Sequence, residues 1–353
     1  MKWEKAIGLG LSLLIVLASC KKNRMDTPGT NPNGPTTPPI VPTGPYIYIG
    51  GSVNSKAAYW KIASNVTDIT PIPVANASRI TSIAVSDTNV YMAGPSNASG
   101  VYWKNGVPVS VTNASEIDYL TLSGTDVYGS GFDNSGNIAY WDGSNEVNLE
   151  NTLPAGIGYS MGLTGIAVSG NDVYVTGSLL FIQMPGDTSY YGNSAVYWKN
   201  GNIYYLNNHG YGGVYYPSTS GLALSGKDLY VAGNIDIDAD TMAWCGYWKD
   251  SVKISLANRS GNNYATANAV AISGNDVYVV GMMISGGGFS AVYWKNGNMV
   301  TLPSGGQAIA IAISGSDVYI LGSDSEGNTV VWKNGIMAVT LGQVTATCLA
   351  IGN

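Results

Sequence analysis

The chain has 353 residues, of which 45% are hydrophobic and only 11% charged, with 46 glycines and 24 tyrosines. A soluble domain usually carries about a quarter charged residues; so few charges beside so much apolar surface exclude an intrinsically disordered chain. The net charge of -6 excludes a phosphate-neutralising nucleic-acid surface, and the single histidine, His209, excludes multi-histidine metal sites and chemistry that needs two imidazoles.

Residues 1–20 read as a signal peptide. Lys2 and Lys5 charge the start, an apolar run extends from Ala6 to Ala18, and Leu17-Ala18-Ser19-Cys20 closes it. The run is shorter than the about 20 apolar residues a spanning helix needs, but it fits a signal-peptide core. Leu17-Ala18-Ser19-Cys20 resembles the lipobox of bacterial lipoproteins. The resemblance implies that the Cys20 thiol is acylated and anchors the mature chain in a membrane. Position 21 is Lys, not the Asp of an inner-membrane retention signal, which points to the outer membrane and leaves open its periplasmic or surface face. Residues 21–45 follow as a disordered tether. Seven prolines stand among Thr, Gly and Asn between Asp26 and Pro45, and such a stretch buries too little apolar surface to fold and tends to extended polyproline II.

From residue 46 the chain repeats itself. One tyrosine recurs as Tyr48, Tyr91, Tyr128, Tyr174, Tyr230, Tyr278 and Tyr319, and a glycine three residues later as Gly51, Gly94, Gly131, Gly177, Gly233, Gly281 and Gly322. A tryptophan recurs as Trp60, Trp103, Trp141, Trp198, Trp248, Trp294 and Trp332. Each copy reads as four short strands. An Ile/Val/Leu run alternating with Ala (Ile166-Ala167-Val168) makes strand A, the Val-Tyr-Val segment strand B, and Val-Tyr-Trp-Lys strand C. An apolar run such as Val109-Ser110-Val111 makes strand D. Ser-Gly-x-Asp lies between A and B, and Asn-Gly between C and D in four of the copies; both supply the positive φ that tight hairpins demand.

Four antiparallel strands, seven times over, predict an all-β fold, a seven-bladed β-propeller spanning 46–353. Blades packed between blades bury both faces of their sheets, so the repeated Tyr and Trp are read first as packing residues. The folded region opens on a strand B at Tyr46-Ile47-Tyr48-Ile49 and ends on a strand A at Ala346 to Ile351. The C-terminal strand is therefore expected to complete the first blade and leave the ring without an edge. The repeat lacks the Gly-His and Trp-Asp signature of WD40 repeats and the double glycine of kelch repeats. The chain as a whole resembles the repeat-built propeller lipoproteins of Gram-negative bacteria, a resemblance that implies no activity. Cys245 and Cys348 fall in separate blades and read as small buried hydrophobes.

In a meander the A–B and C–D turns share one face of the ring and the B–C and D–A loops the other. The separation from strand B glycine to strand C tryptophan is 9, 9, 10, 21, 15, 13 and 10 residues for blades one to seven, so blades four to six carry the insertions. These and the D–A loops beside them hold Tyr159, Phe181, Tyr190, Tyr191, Tyr211, Tyr215, Tyr216, Trp244, Tyr264 and Phe289 among Asn, Gly and Ser. Aromatic rings beside small polar groups suit a sugar or a protein partner. The ligand contacts expected are Tyr190, Tyr191, His209, Tyr211, Tyr215, Trp244 and Tyr264.

Other chemistry is sparse. Asp236, Asp238 and Asp240 place oxygens at alternate positions as a calcium loop does, but the glycine and the terminal Glu of an EF-hand are missing; a solvated acidic loop competes with a cation site. Around His209 no Ser-His-Asp or Cys-His set assembles. The inner strands offer only Glu116 and Asp118 for paired acid-base work. The reading is therefore a membrane-anchored, non-enzymatic binding module without a cofactor, which presents one loop face to a glycan or an envelope protein and binds no nucleic acid. The alternatives are a carbohydrate-active hydrolase or lyase, and a purely structural scaffold.

Overall fold

A computed structural model describes residues 44–63, 69–97, 100–153, 159–181, 192–206, 217–237, 243–256 and 264–352. The expected signal peptide, Cys20 and the expected tether up to residue 43 lie outside them. Among the described residues are 28 strands in seven four-stranded antiparallel sheets and a single 3-10 turn, Glu150–Thr152. Six sheets run A-B-C-D in chain order. The remaining one is blade one, in which Thr345–Gly352 at the C-terminus pairs with Tyr46–Val53 at the start, Ile47 opposite Ile351 and Ile49 opposite Leu349.

Strand A is innermost. Taken from blade one to blade seven, these strands are Thr345–Gly352, Ser82–Ser86, Ala114–Ser123, Tyr159–Ser169, Ser218–Ser225, Tyr264–Ser273 and Gly305–Ser314. Each touches the strand A on either side, so the seven close a continuous inner ring. All seven repeat tryptophans are essentially buried, and the indole N–H of Trp103, Trp141 and Trp332 donates to the carbonyl of Ala75, Thr112 and Pro303 at 3.1 Å. Each of these carbonyls belongs to the connection entering the blade, so the tryptophan fills the core and also holds the D–A loop. Six of the seven tyrosines are buried as well; Tyr128 of blade three is only half-buried. Cys245 packs between blades five and six, and Cys348 between blades one and two.

The two turn sets do share a face. At the A–B turns Gly124, Gly170, Gly226, Gly274 and Gly315 have φ of 58 to 61°, while Asn105-Gly106, Asn200-Gly201, Asn296-Gly297 and Asn334-Gly335 are left-handed at both positions. These match the II′ and I′ hairpins that follow strand twist. The turns are clasped side by side. The Asn334 carboxamide accepts from the Val318 N–H and donates to Asp317 at 2.8 Å, and Lys333 closes on the same aspartate at 2.7 Å. The clasp recurs with Lys199–Asp172 and Lys295–Asp276.

The strand B glycine has a physical cause that the repeat alone does not reveal. In six inner strands the register slips by one residue, leaving Asp118, Thr164, Ser220, Asn268, Ile309 and Thr347 as bulges; Thr81 takes the same place at the head of blade two's inner strand. The kink drives the carbonyl two residues earlier toward strand B. A Cβ on the seven glycines would stand 1.8 to 2.9 Å from that oxygen, closest at Gly281 against Thr266 and loosest at Gly177 against Gly162.

Candidate functional site

The bulged residues form a polar collar around the inner ring, and most of them stitch one blade to the next. Thr347 donates to the Ile80 carbonyl, Thr81 to that of Asp118 at 2.6 Å, Ser220 to that of Ala267, and Asn268 to that of Ala308 at 2.7 Å; Thr164 shares a proton with Thr219 at 2.7 Å. Blade three puts an aspartate in this donor position. A carboxylate has no proton to give, and Asp118 is also half-buried beside Glu116. Burial first, then the charge of Glu116 and a hydrogen bond with it, push the Asp118 carboxyl up to about 7 against the opposing pull of Arg79. Arg79 joins the pair from the connection into blade two.

Two carboxyls that share one hydrogen bond leave no room for a glycosidic oxygen between them, whereas paired glycosidase carboxyls stand about 5 Å or more apart. As Glu116 and Asp118 stand, they form a proton-sharing pair within the collar. Because the folded pKa of Asp118 lies above that of an unfolded carboxyl, the native state holds more protons between about pH 4 and 7. Its contribution is fully present below pH 4 and is lost as pH rises through 7. Asn occupies the same place in blade six, so Asp118→Asn is expected to change little at pH 5.5 and to stabilise by ~1–2 kcal/mol at pH 8.5, flattening the thermal stability profile between them. Thermal melts at the two pH values check this.

On the opposite side of the bulges, the described parts of the insertions in blades four to six lengthen the strands; residues 182–191 and 238–242 lie outside the described residues. In blade six, Asp276–Ser285 and Gly288–Lys295 continue as a paired hairpin to a two-residue turn at Gly286-Gly287, and strand A starts early at Tyr264 to pair with Ile284. Blade four rises in the same way, Tyr159 opposite Phe181 and Phe181 opposite Gly192. In blade five Asp236 pairs with Trp244 across strands B and C. Asp236 is thus a ladder residue; Asp238 and Asp240 lie outside the described residues.

Of the expected ligand contacts, Tyr264 and Trp244 are strand residues; Tyr190, Tyr191, His209, Tyr211 and Tyr215 lie outside the described residues. Tyr264 is half-buried and stands in one cross-strand row with Ile284 and Phe289, the last of which is 60% exposed. Ile284 belongs to this row as much as the aromatics do. The signal for it in the sequence was the apolar run Met282-Met283-Ile284 continuing directly from the strand B glycine. Among the described residues no three Asp, Glu, Cys or His side chains cluster as a metal site.

Fold and collar together define the class, a seven-bladed β-propeller closed by its C-terminal strand. No family model and no curated protein matches the chain. Among solved structures it is similar to the computationally designed Ika8 protein, at 17% identity over 87% of this chain and 88% of that one, with a TM-score of 0.48. It is also similar to a candidate 6-phosphogluconolactonase of Bacteroides fragilis, at 12% identity over 90% and 100% of the two chains, TM-score 0.49. A prolyl endopeptidase aligns at 13% identity over 83% of this chain and 48% of its own, TM-score 0.43. Likenesses of this degree carry no activity across.

Proposed function

We propose that the protein is a lipid-anchored binding module of the bacterial outer membrane, acylated at Cys20, held off the lipid by residues 21–45, and presenting the loop face of blades four to six to a glycan or an envelope protein. The observation that carries the reading is the row Tyr264, Ile284 and Phe289 on the raised hairpin of blade six, with Phe289 open to solvent. Large exposed rings on a rigid sheet offer contact area at low entropic cost. The described strands of blades four, five and six are raised on the same side of the ring, and Trp244 lies in strand C of blade five.

The test is a glycan array together with a pull-down from an envelope extract, each run with the wild-type chain, Phe289→Ala and Trp244→Ala. A partner is expected whose affinity falls at least tenfold in one of the two variants, the loss that truncating a hot-spot ring brings at about 1.4 kcal/mol or more. A partner that binds both variants as tightly as wild type, or no partner in either screen, contradicts the reading.

A further inference from the structure

Blade three departs from the repeat at the interface it shares with blade two. The residue after the strand B tyrosine is Ile49, Met92, Val175, Val231, Val279 or Ile320 in six blades, each no more than 1% exposed. In blade three it is Gly129. The missing side chain is one half of a recurrent contact, because the strand C tyrosine of one blade packs in a common apolar cluster with this aliphatic group of the next. Tyr59 does so with Met92, Tyr140 with Val175, Tyr197 with Val231, Tyr247 with Val279, and Tyr293 with Ile320. Tyr102 of blade two packs in a cluster with Ile117 and Leu120, but at the place of the aliphatic partner it has only Gly129.

An open cleft of about 340 Å³ lies between the two blades here, within the size range of small-molecule pockets. Tyr102 and Val109 wall it from blade two, Ile117 and Gly129 from blade three. Its rim carries the hydroxyls of Ser110, Thr112, Thr125 and Ser144 and the carboxylates of Asp126 and Asp142, and the lining holds neither lysine, arginine nor histidine. At the position of Asp142 the other six blades have a lysine, whose ammonium stands 5.1 to 5.5 Å from the strand B tyrosine ring. The two substitutions act together. Gly129 opens apolar space beside an aromatic ring, and Asp142 removes the cation that would attract an anion to its edge.

An apolar wall with a ring on one side and an edge of hydroxyls and carboxylates on the other matches a ligand that has one apolar face and a rim of hydroxyl groups. We infer that the cleft between blades two and three binds one neutral pyranose unit. It runs from the A–B and C–D turns of blade three to the connection that enters that blade, and none of its lining belongs to blades four to six, so it does not rest on the proposed loop-face function.

The test is saturation-transfer NMR on the full-length chain with methyl α-glucopyranoside, methyl β-galactopyranoside and N-acetylglucosamine, and with glucuronate as an anionic comparison. Transfer is expected to at least one neutral sugar and to be at least tenfold weaker for glucuronate. Gly129→Val fills the cleft from blade three with the side chain found in other blades, although Ile117 Cγ2, 3.1 Å from the new Cβ, must give by a few tenths of an ångström. Val109→Trp fills it from the half-exposed outer strand of blade two, where a larger side chain is expected to leave the melting transition within a few degrees of wild type. Both are expected to abolish transfer, while Ile336→Ala, at a 72% exposed position of blade seven, leaves it unchanged. Transfer to none of the three neutral sugars, transfer undiminished in Val109→Trp, or glucuronate binding as well as the neutral sugars would overturn the inference.

Discussion

Deleting residues 345–353 is expected to abolish cooperative unfolding. The lost strand pairs with Tyr46–Val53 along nearly its whole length, and it is also the inner-ring neighbour of blades two and seven. Without it Tyr48 and Ile49, both fully buried, lose a neighbour, and Thr347 no longer ties the ring to the Ile80 carbonyl. Each aliphatic group returned to water costs about 1.5–3 kcal/mol, and several go at once together with seven paired backbone positions. The sum is on the order of a domain's whole stability, ~5–15 kcal/mol. A broad, low-amplitude melt and binding of an apolar dye at room temperature are the expected results of calorimetry and fluorescence; an unchanged transition would mean that the ring closes in another way.

The second large effect concerns a single methyl group. Gly281→Ala places a Cβ 1.8 Å from the Thr266 carbonyl oxygen, a backbone atom held by the bulge at Asn268. The inner strand must retreat from its neighbours or strand B must leave the sheet. Overpacking of this kind costs about 3 kcal/mol or more. Gly162→Ala is the control, since no atom lies within 4 Å of the Cβ it would gain; a shift within about 0.5 kcal/mol is expected there. Chemical denaturation of the two variants separates them, and equal stabilities would show that the inner strand yields freely at the bulge.

The fold was legible because the physics repeats seven times. Asn-Gly and Ser-Gly-x-Asp specify hairpins of one turn family, and Tyr and Trp at constant offsets mark two buried rows. The unmatched strand B at Tyr46 and strand A ending at Ile351 declare each other as partners. What stayed hidden depends on contacts between copies rather than within them. The glycine three residues after each tyrosine could be counted, but its cause is a carbonyl displaced by a bulge in the neighbouring strand, and a bulge has no fixed sequence signature. The Asp118, Glu116 and Arg79 group brings together residues from two blades, 37 to 39 positions apart for Arg79. Gly129 and Asp142 were visible as departures from the repeat. Their meaning was not, because a missing side chain leaves a mark only when the facing blade's Tyr102 is known.

Closure of the ring by its two ends is the claim on which the blade count, the inner collar and both faces depend. Native-state hydrogen exchange tests it most directly, since amide protection reports the free energy of opening residue by residue. The amides of 46–53 and 345–352 are expected to exchange only through global opening, with the same free energy as the paired strands of blade seven at 305–324. Rapid exchange of 345–352 while the rest of the ring stays protected would contradict closure by the C-terminal strand.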